Sequence, residues 1–222
     1  MTDLILVPTP VERDILRQSL RVLESRSCAM QLCGFGPIAA AARASSLIAR
    51  YKPERVMLVG IAGTFSSERC PIGTAQRFEK TTCYGIGVGA GPAHQPAAQL
   101  GWLQFSGGDD QPEIGDTIPL DSSFVSGIPA SGMLLTCCSA SASEEEADQR
   151  RALFPDATAE DMEGYAVAMA CSLAGVPLQI VRGISNEVGD RVHDQWQVNE
   201  ALAAAANLAL QLMPRTWLPS PS

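Results

Sequence analysis

The chain has 222 residues, a length that suits one domain, since single hydrophobic cores grow to roughly 250 residues before chains divide. Sixteen Lys and Arg stand against 24 Asp and Glu, a net charge of −8; with no cluster of cations, the sequence excludes binding along a nucleic-acid backbone. With two histidines, no Cys-x-x-Cys and no apolar run near the ~20 residues of a membrane span, neither a metal site nor membrane insertion is expected.

A short apolar run at 4–7 predicts a buried strand, and Pro8-Thr9-Pro10 turns the chain into a helix over 11–23. Residues 28–33 form a second strand, and Gly34-Phe35-Gly36 turns into an Ala-rich helix ending near Tyr51. A third strand at 55–59 runs into a glycine-rich turn, Gly60-Ile61-Ala62-Gly63. Strand, tight turn and helix in this order imply parallel βαβ units and an α/β fold. From 72 to 126 helix signals fade and Gly and Pro abound; short strands are expected at 74–78 and 82–88, with Trp102, Phe105 and 118–120 as core material. The 84–115 stretch has the composition of a loop over a pocket. A strand at 133–138 follows, then a helix to Leu153 capped by Ser143 with an acidic first turn at 144–146. An almost wholly apolar helix at 165–175 leads into a core strand at 177–181, a last helix spans 195–212, and 215–222 form a flexible tail.

Polar residues bracket that penultimate core unit. Glu160-Asp161-Met162-Glu163-Gly164 opens it and Val181-Arg182-Gly183-Ile184-Ser185-Asn186 closes it. A carboxylate and a carboxamide at the two ends of one α/β unit can face one small polar ligand, one accepting hydroxyl protons and the other reading a heterocycle edge. Each residue also has an ordinary structural role. Glu163 fits the first turn of a helix, Asn186 a turn after a strand, and Met162 the core. Glu12 completes a capping box with Thr9 as N-cap and Pro10 at the first helical position. Arg182 can be a buried pairing partner or orient Glu163.

The segments at 34–40, 59–63, 161–164 and 184–189, with Asp190, Arg191 and Trp196 following, resemble the nucleoside phosphorylase and nucleosidase superfamily, in particular its futalosine hydrolases. The resemblance implies a single-domain three-layer α/β/α fold over 1–214 with a central mixed, mostly parallel sheet. It further implies Glu12 as the residue that activates a water, Met162-Glu163 as the ribose site, and the backbone at Ile61, Ala62 and Gly63, with Arg182, as further substrate contacts. Asn186 falls where relatives that cleave 6-aminopurine nucleosides carry Asp. A 6-oxopurine presents two acceptors, O6 and N7, which suits a carboxamide NH₂. The implied reaction is hydrolysis of futalosine to hypoxanthine and dehypoxanthine futalosine in menaquinone biosynthesis, without metal or other cofactor.

The implied partners are a purine nucleoside and further copies of the chain, since relatives assemble with subunits completing one another's sites. The seven cysteines, odd in number and several within hydrophobic runs, fit a reducing cytoplasm, and Met1-Thr2-Asp3-Leu4 lacks the basic start of a leader. Three alternatives stay open: a phosphorylase, for which Arg13 and Arg69 are the nearby cations; a methylthioadenosine or adenosylhomocysteine nucleosidase, disfavoured by Asn186; and a non-catalytic nucleoside-binding module. Gly34-Phe35-Gly36 is expected to be structural and His94 and His193 incidental, while Asp190, Arg191 and Trp196 match the pattern of the resemblance but can equally be a surface pair and a core residue.

Overall fold

The computed structural model describes residues 3–24, 28–108, 110–121 and 127–213, so the tail expected at 215–222 lies outside the described residues. In chain order the elements are β1 (Asp3–Val7), α1 (Pro10–Glu24), β2 (Cys28–Leu32), α2 (Pro37–Tyr51), β3 (Arg55–Thr64), β4 (Ala75–Arg77), β5 (Lys80–Tyr84), β6 (Gly87–Val88), β7 (Gln95–Pro96), β8 (Thr117–Pro119), β9 (Met133–Cys137), α3 (Glu144–Leu153), β10 (Ala157–Asp161), α4 (Gly164–Ala174), β11 (Leu178–Glu187) and α5 (Val198–Leu212).

Strand alternation creates the layers. Leu4 and Leu6 of β1 and Val56 and Leu58 of β3 enter one core cluster with α2 and α4, whereas Ile5, Val7, Met57 and Val59 enter another with α1 and α5. Both faces of these strands are therefore apolar and covered, which gives a three-layer α/β/α sandwich. A fully buried Leu such as Leu58 contributes about 1.5–3 kcal/mol relative to an exposed one. Against the far end of the sheet, Ala147 of α3 packs on Met133, Leu135 and Cys137 of β9.

The sheet runs β2-β1-β3-β10-β9-β5-β8, with β11 paired to β3 and β4. Pairings β1–β2, β1–β3, β3–β11, β9–β10 and β5–β9 are parallel, and β3–β10, β4–β11 and β5–β8 antiparallel. The sheet is thus mixed and mostly parallel, as expected.

Several local expectations are corrected. Residues 60–63 are not a turn: β3 continues through them to Thr64, because β11 lies alongside for its whole length. β11 likewise extends past Val181 to Glu187, placing Asn186 within a strand, with a register shift between Ile184 and Asn186. β10 is a strand the sequence reading lacked. Its acidic end is buried because Glu160 and Asp161 each find an arginine. The last helix starts at Val198 rather than 195, after a 3-10 turn at His193–Gln195. Trp102 is exposed, while Phe105, Ile118 and Leu120 join the core as expected.

Candidate active site

The carboxyl ends of β1, β3, β10 and β11 open into one cleft of about 370 Å³, where parallel sheets characteristically bind ligands. Glu12, Ile61, Ala62, Gly63, Met162, Glu163 and Asn186 all line it. Seven residues drawn from between Glu12 and Asn186 are thereby brought to one surface. None of the described residues between 84 and 115 does so, and that segment instead folds a small β6–β7 hairpin near α3, so the expected loop over the pocket is absent there.

Glu12 serves two structural ends at once. The capping box forms: Thr9 N and Oγ1 donate to its Oε2 at 3.0 and 2.6 Å, and Glu12 N donates to Thr9 Oγ1 at 3.3 Å. Its other oxygen, Oε1, accepts from Ile61 N at 3.0 Å. Three donors thus hold a buried carboxylate in one orientation at the cleft wall. Gly60 is needed beside it because a Cβ there would strike Arg182 Nη1 and stand 2.8 Å from Glu12 Oε1. The glycine supplies space rather than a turn.

Glu163 sits at the N-cap of α4 without capping it. Its Oε1 accepts from Gly36 N at 2.9 Å and its Oε2 from Arg182 Nη2 at 3.2 Å. Burial pushes its carboxyl up to about 7, opposed by Arg182 and reinforced by Asp161. The Gly34-Phe35-Gly36 turn, expected to be only structural, is therefore part of the site: Gly36 holds Glu163 and Phe35 lines the cleft.

The capping role falls to Asp161, which sequence reasoning missed. Its Oδ2 accepts from Gly164 N at 2.8 Å and from Arg182 Nε at 3.0 Å, with Arg182 Nη2 also bonded to it. Thr136 Oγ1 donates to Oδ1 at 2.6 Å and accepts from Tyr165 N at 2.8 Å. The Asp-x-x-Gly spacing ahead of an apolar helix was the available signal. Arg182 is expected among substrate contacts but does not line the cleft; it is wholly buried behind Glu163, with Nη1 lacking a hydrogen-bond partner.

Glu160 also lines the cleft and is spoken for, accepting from Ser141 N and Oγ at 2.8 Å each and from Arg150 Nη1 at 2.7 Å. No spacing in the sequence links these residues.

Asn186 is fixed by its neighbours. Ser185 Oγ donates to Oδ1 at 2.7 Å and Nδ2 donates to Glu187 O at 2.7 Å. A carbonyl only accepts, so the amide nitrogen is the atom facing Glu187, and its second N–H remains for a ligand.

Further along, His193 and Trp196 line the cleft with Arg191; Arg191 and His193 are exposed and Trp196 is half-buried, while His94 is buried elsewhere, edge-on to Tyr84 at 5.0 Å. Arg13 pairs with Asp14, Arg69 is exposed, and neither lines the cleft. Among the described lining residues Arg191 is the single Arg or Lys.

The three-layer fold is of the nucleoside-phosphorylase type, as its likeness to solved structures shows. The futalosine hydrolase of Helicobacter pylori superposes with a TM-score of 0.75 at 16% identity, over 96% of this chain and 97% of that one. The Phosphorylase superfamily model matches residues 127–214. By sequence the chain is 30% identical over 166 residues to the futalosine hydrolase of Streptomyces coelicolor, 74% of this chain and 68% of that protein. It is also 30% identical over 188 residues to the 5′-methylthioadenosine/S-adenosylhomocysteine nucleosidase of Colwellia psychrerythraea, 81% of this chain and 74% of the relative. The chain belongs to the nucleosidase family within the phosphorylase superfamily, enzymes that hydrolyse an N-glycosidic bond.

Proposed function

We propose that the substrate is futalosine, hydrolysed to hypoxanthine and dehypoxanthine futalosine in cytoplasmic menaquinone biosynthesis without a cofactor. The orientation of Asn186 carries this reading: an amide held with one free N–H donates to one of the two acceptors, O6 or N7, on the edge of a 6-oxopurine, and Asp at that place would suit a 6-amino group. The Streptomyces relative supports it. The Colwellia relative, equally identical, favours methylthioadenosine as the second reading.

In the proposed reaction the sugar–purine bond breaks as its electron pair passes to the purine, where Asn186 Nδ2–H stabilises the charge. Glu163 accepts from the ribose hydroxyls and stabilises the positive charge on the sugar. Glu12 takes a proton from the attacking water, whose hydroxyl adds to the sugar carbon, and solvent returns a proton to the base. Ile61, Ala62, Gly63 and Met162 form the walls beside the sugar. Arg182 acts from behind, holding Glu163 in place. The exposed Val11 and Phe35 of the cleft lining give a second copy apolar surface to cover in a homo-oligomer, so light scattering should return a multiple of the monomer mass.

Chromatographic base release from futalosine, inosine and methylthioadenosine, with and without phosphate, tests the function. Phosphate-independent hypoxanthine release from futalosine is expected. Phosphate dependence, or preference for methylthioadenosine, would overturn the reading. Asn186→Asp should shift the kcat/KM ratio of futalosine over its 6-amino counterpart toward the latter by roughly 10²-fold or more, since a mispaired buried polar group is heavily penalised. An unchanged ratio removes Asn186 from base recognition.

Because ionised Glu163 is the form that accepts hydroxyl protons, acid should inactivate. With its carboxyl at about 7, kcat/KM should level off above that pH and fall toward about tenfold per unit below it. A rate flat from pH 8 to 5.5 would rule this out.

A further inference from the structure

We propose that Glu160 is a specificity residue that accepts a hydrogen bond from the N1–H of a 6-oxopurine and turns away 6-aminopurines. This deepens the futalosine reading and rests on it. Glu160 is a buried carboxylate on the cleft wall that the proposed hydrolysis leaves unused, since Glu12 serves the water and Glu163 the sugar.

The sheet sets Glu160 and Asn186 on either side of one glycine. Gly63 of β3 is in antiparallel register with Glu160 of β10 and in parallel register with Asn186 of β11. Directly opposed residues of an antiparallel pair share a face, so Glu160 points to the side on which residue 63 would carry a Cβ. Asn186 reaches the same side, because that Cβ would lie 3.4 Å from its Nδ2. Two inter-strand spacings, roughly 10 Å, separate β10 from β11 here. The floor between them is bare because Gly63 has no side chain, and all three residues line the cleft. A flat heterocycle can lie over Gly63 with one edge toward the carboxamide and the next toward the carboxylate.

The bonds that hold Glu160 leave one acceptor position open. Its Oε2 accepts from Ser141 Oγ at 2.8 Å, Arg150 Nη1 at 2.7 Å and the Cys137 thiol at 3.6 Å. Its Oε1 accepts from Ser141 N at 2.8 Å and, among the described residues, from nothing else. A carboxylate oxygen offers two lone pairs, so Oε1 keeps one for a ligand. Arg150 also donates to Ser139 O at 3.0 Å and lies 4.8 Å over the Tyr84 ring. Carboxylate and Ser139–Ser141 strap are thus held as one piece, with Ala140 of the strap on the cleft wall. On the edge of a 6-oxopurine O6 and N7 accept and N1–H donates. With Asn186 on O6 or N7, N1–H is the group left over, and Glu160 is the fixed acceptor on that side. In a 6-aminopurine N1 carries no hydrogen, so its lone pair would face the carboxylate and leave both unsatisfied, a penalty against the wrong base.

Calorimetry with the free bases hypoxanthine, N1-methylhypoxanthine and adenine reads this contact without the sugar. Hypoxanthine should bind the wild type at least about tenfold more tightly than either of the others. In Glu160→Gln, Arg150 and Ser141 Oγ keep the amide carbonyl at the Oε2 position, so the NH₂ replaces Oε1 and faces N1 at the expense of the Ser141 N bond. The hypoxanthine-to-adenine affinity ratio should then fall to about one or below. Should that variant fail to fold, Glu160→Leu combined with Arg150→Met removes both charges together and should bring the ratio to about one. A loss of affinity equal for the two bases, or a ratio that neither variant changes, would mean that the carboxylate only braces the strap and would overturn the proposal. Base release from futalosine and methylthioadenosine by the wild type is the separate arm. Hypoxanthine release from futalosine with a ratio indifferent to Glu160 would reject this role and leave the futalosine reading standing. Preference for methylthioadenosine would reject that reading, and tighter binding of adenine would reject the role of Glu160 with it.

Discussion

Replacing Glu12 by Gln should lower kcat by roughly 10²–10⁴-fold, the usual worth of a positioned general base. It should leave KM within a few-fold and lower the melting temperature by less than about 10 °C. The amide has the shape of the carboxylate and can still accept from Thr9 N and Oγ1, so the capping box survives. Its NH₂ then meets the Ile61 N–H, and that one bond is lost. Losing a cap-type or buried hydrogen bond costs about 0.5–2 kcal/mol, which for a chain of this size is a fall of roughly 1–8 °C. The rate effect corresponds to about 3–5 kcal/mol in the transition state, so the two roles separate in magnitude. Thr9→Val gives the reciprocal control, weakening the cap while keeping the carboxylate. Glu12→Gln with nearly normal turnover would exclude the residue from the mechanism. A collapse in melting temperature matching the loss of rate would assign it to the fold instead.

The layers were legible because they rest on periodicity. Apolar runs at 4–7 and 55–59 have no polar face, so they had to lie in a sheet covered on both sides, and the α/β alternation followed. Glu163 and Asn186 stood out as polar residues at the two ends of one apolar unit, whereas Glu12 read as a capping residue and was singled out only by the resemblance. What escaped was long-range pairing. β10 looks too polar for a core strand until Arg150 and Arg182 neutralise its two acids from 10 and 21 residues away. Residues 60–63 read as a turn because glycine ordinarily marks one, whereas here the missing Cβ makes room for Arg182 and Glu12. The place of residues 84–115 failed for a similar reason: Gly and Pro content reports an irregular backbone and says nothing of which edge of the sheet it covers.

Arg182→Met should be the most damaging single change to stability, costing about 3–5 kcal/mol as expected when one partner of a buried ion pair is removed. The melting temperature should fall by roughly 6–20 °C. The methylenes are largely replaced, but Asp161 and Glu163 are left as buried carboxyls without their cation. Asp161 keeps Gly164 N and Thr136 Oγ1 as donors, so the helix cap persists and the loss is mainly electrostatic. That origin has a pH signature. Glu163 is already raised to about 7 by burial while Arg182 opposes the rise, so removing Arg182 raises it further. A carboxyl whose folded pKa exceeds its unfolded value favours the native state at low pH, and this contribution is lost as pH rises through the folded pKa. The stability deficit of Arg182→Met should therefore be small near pH 5 and grow toward pH 8. Adding Asp161→Asn removes one of the stranded charges and should recover part of the deficit at pH 8. A deficit equal at both pH values, with no recovery in the double variant, would mean that lost packing around the arginine stem is responsible and that the ion pair is incidental to stability.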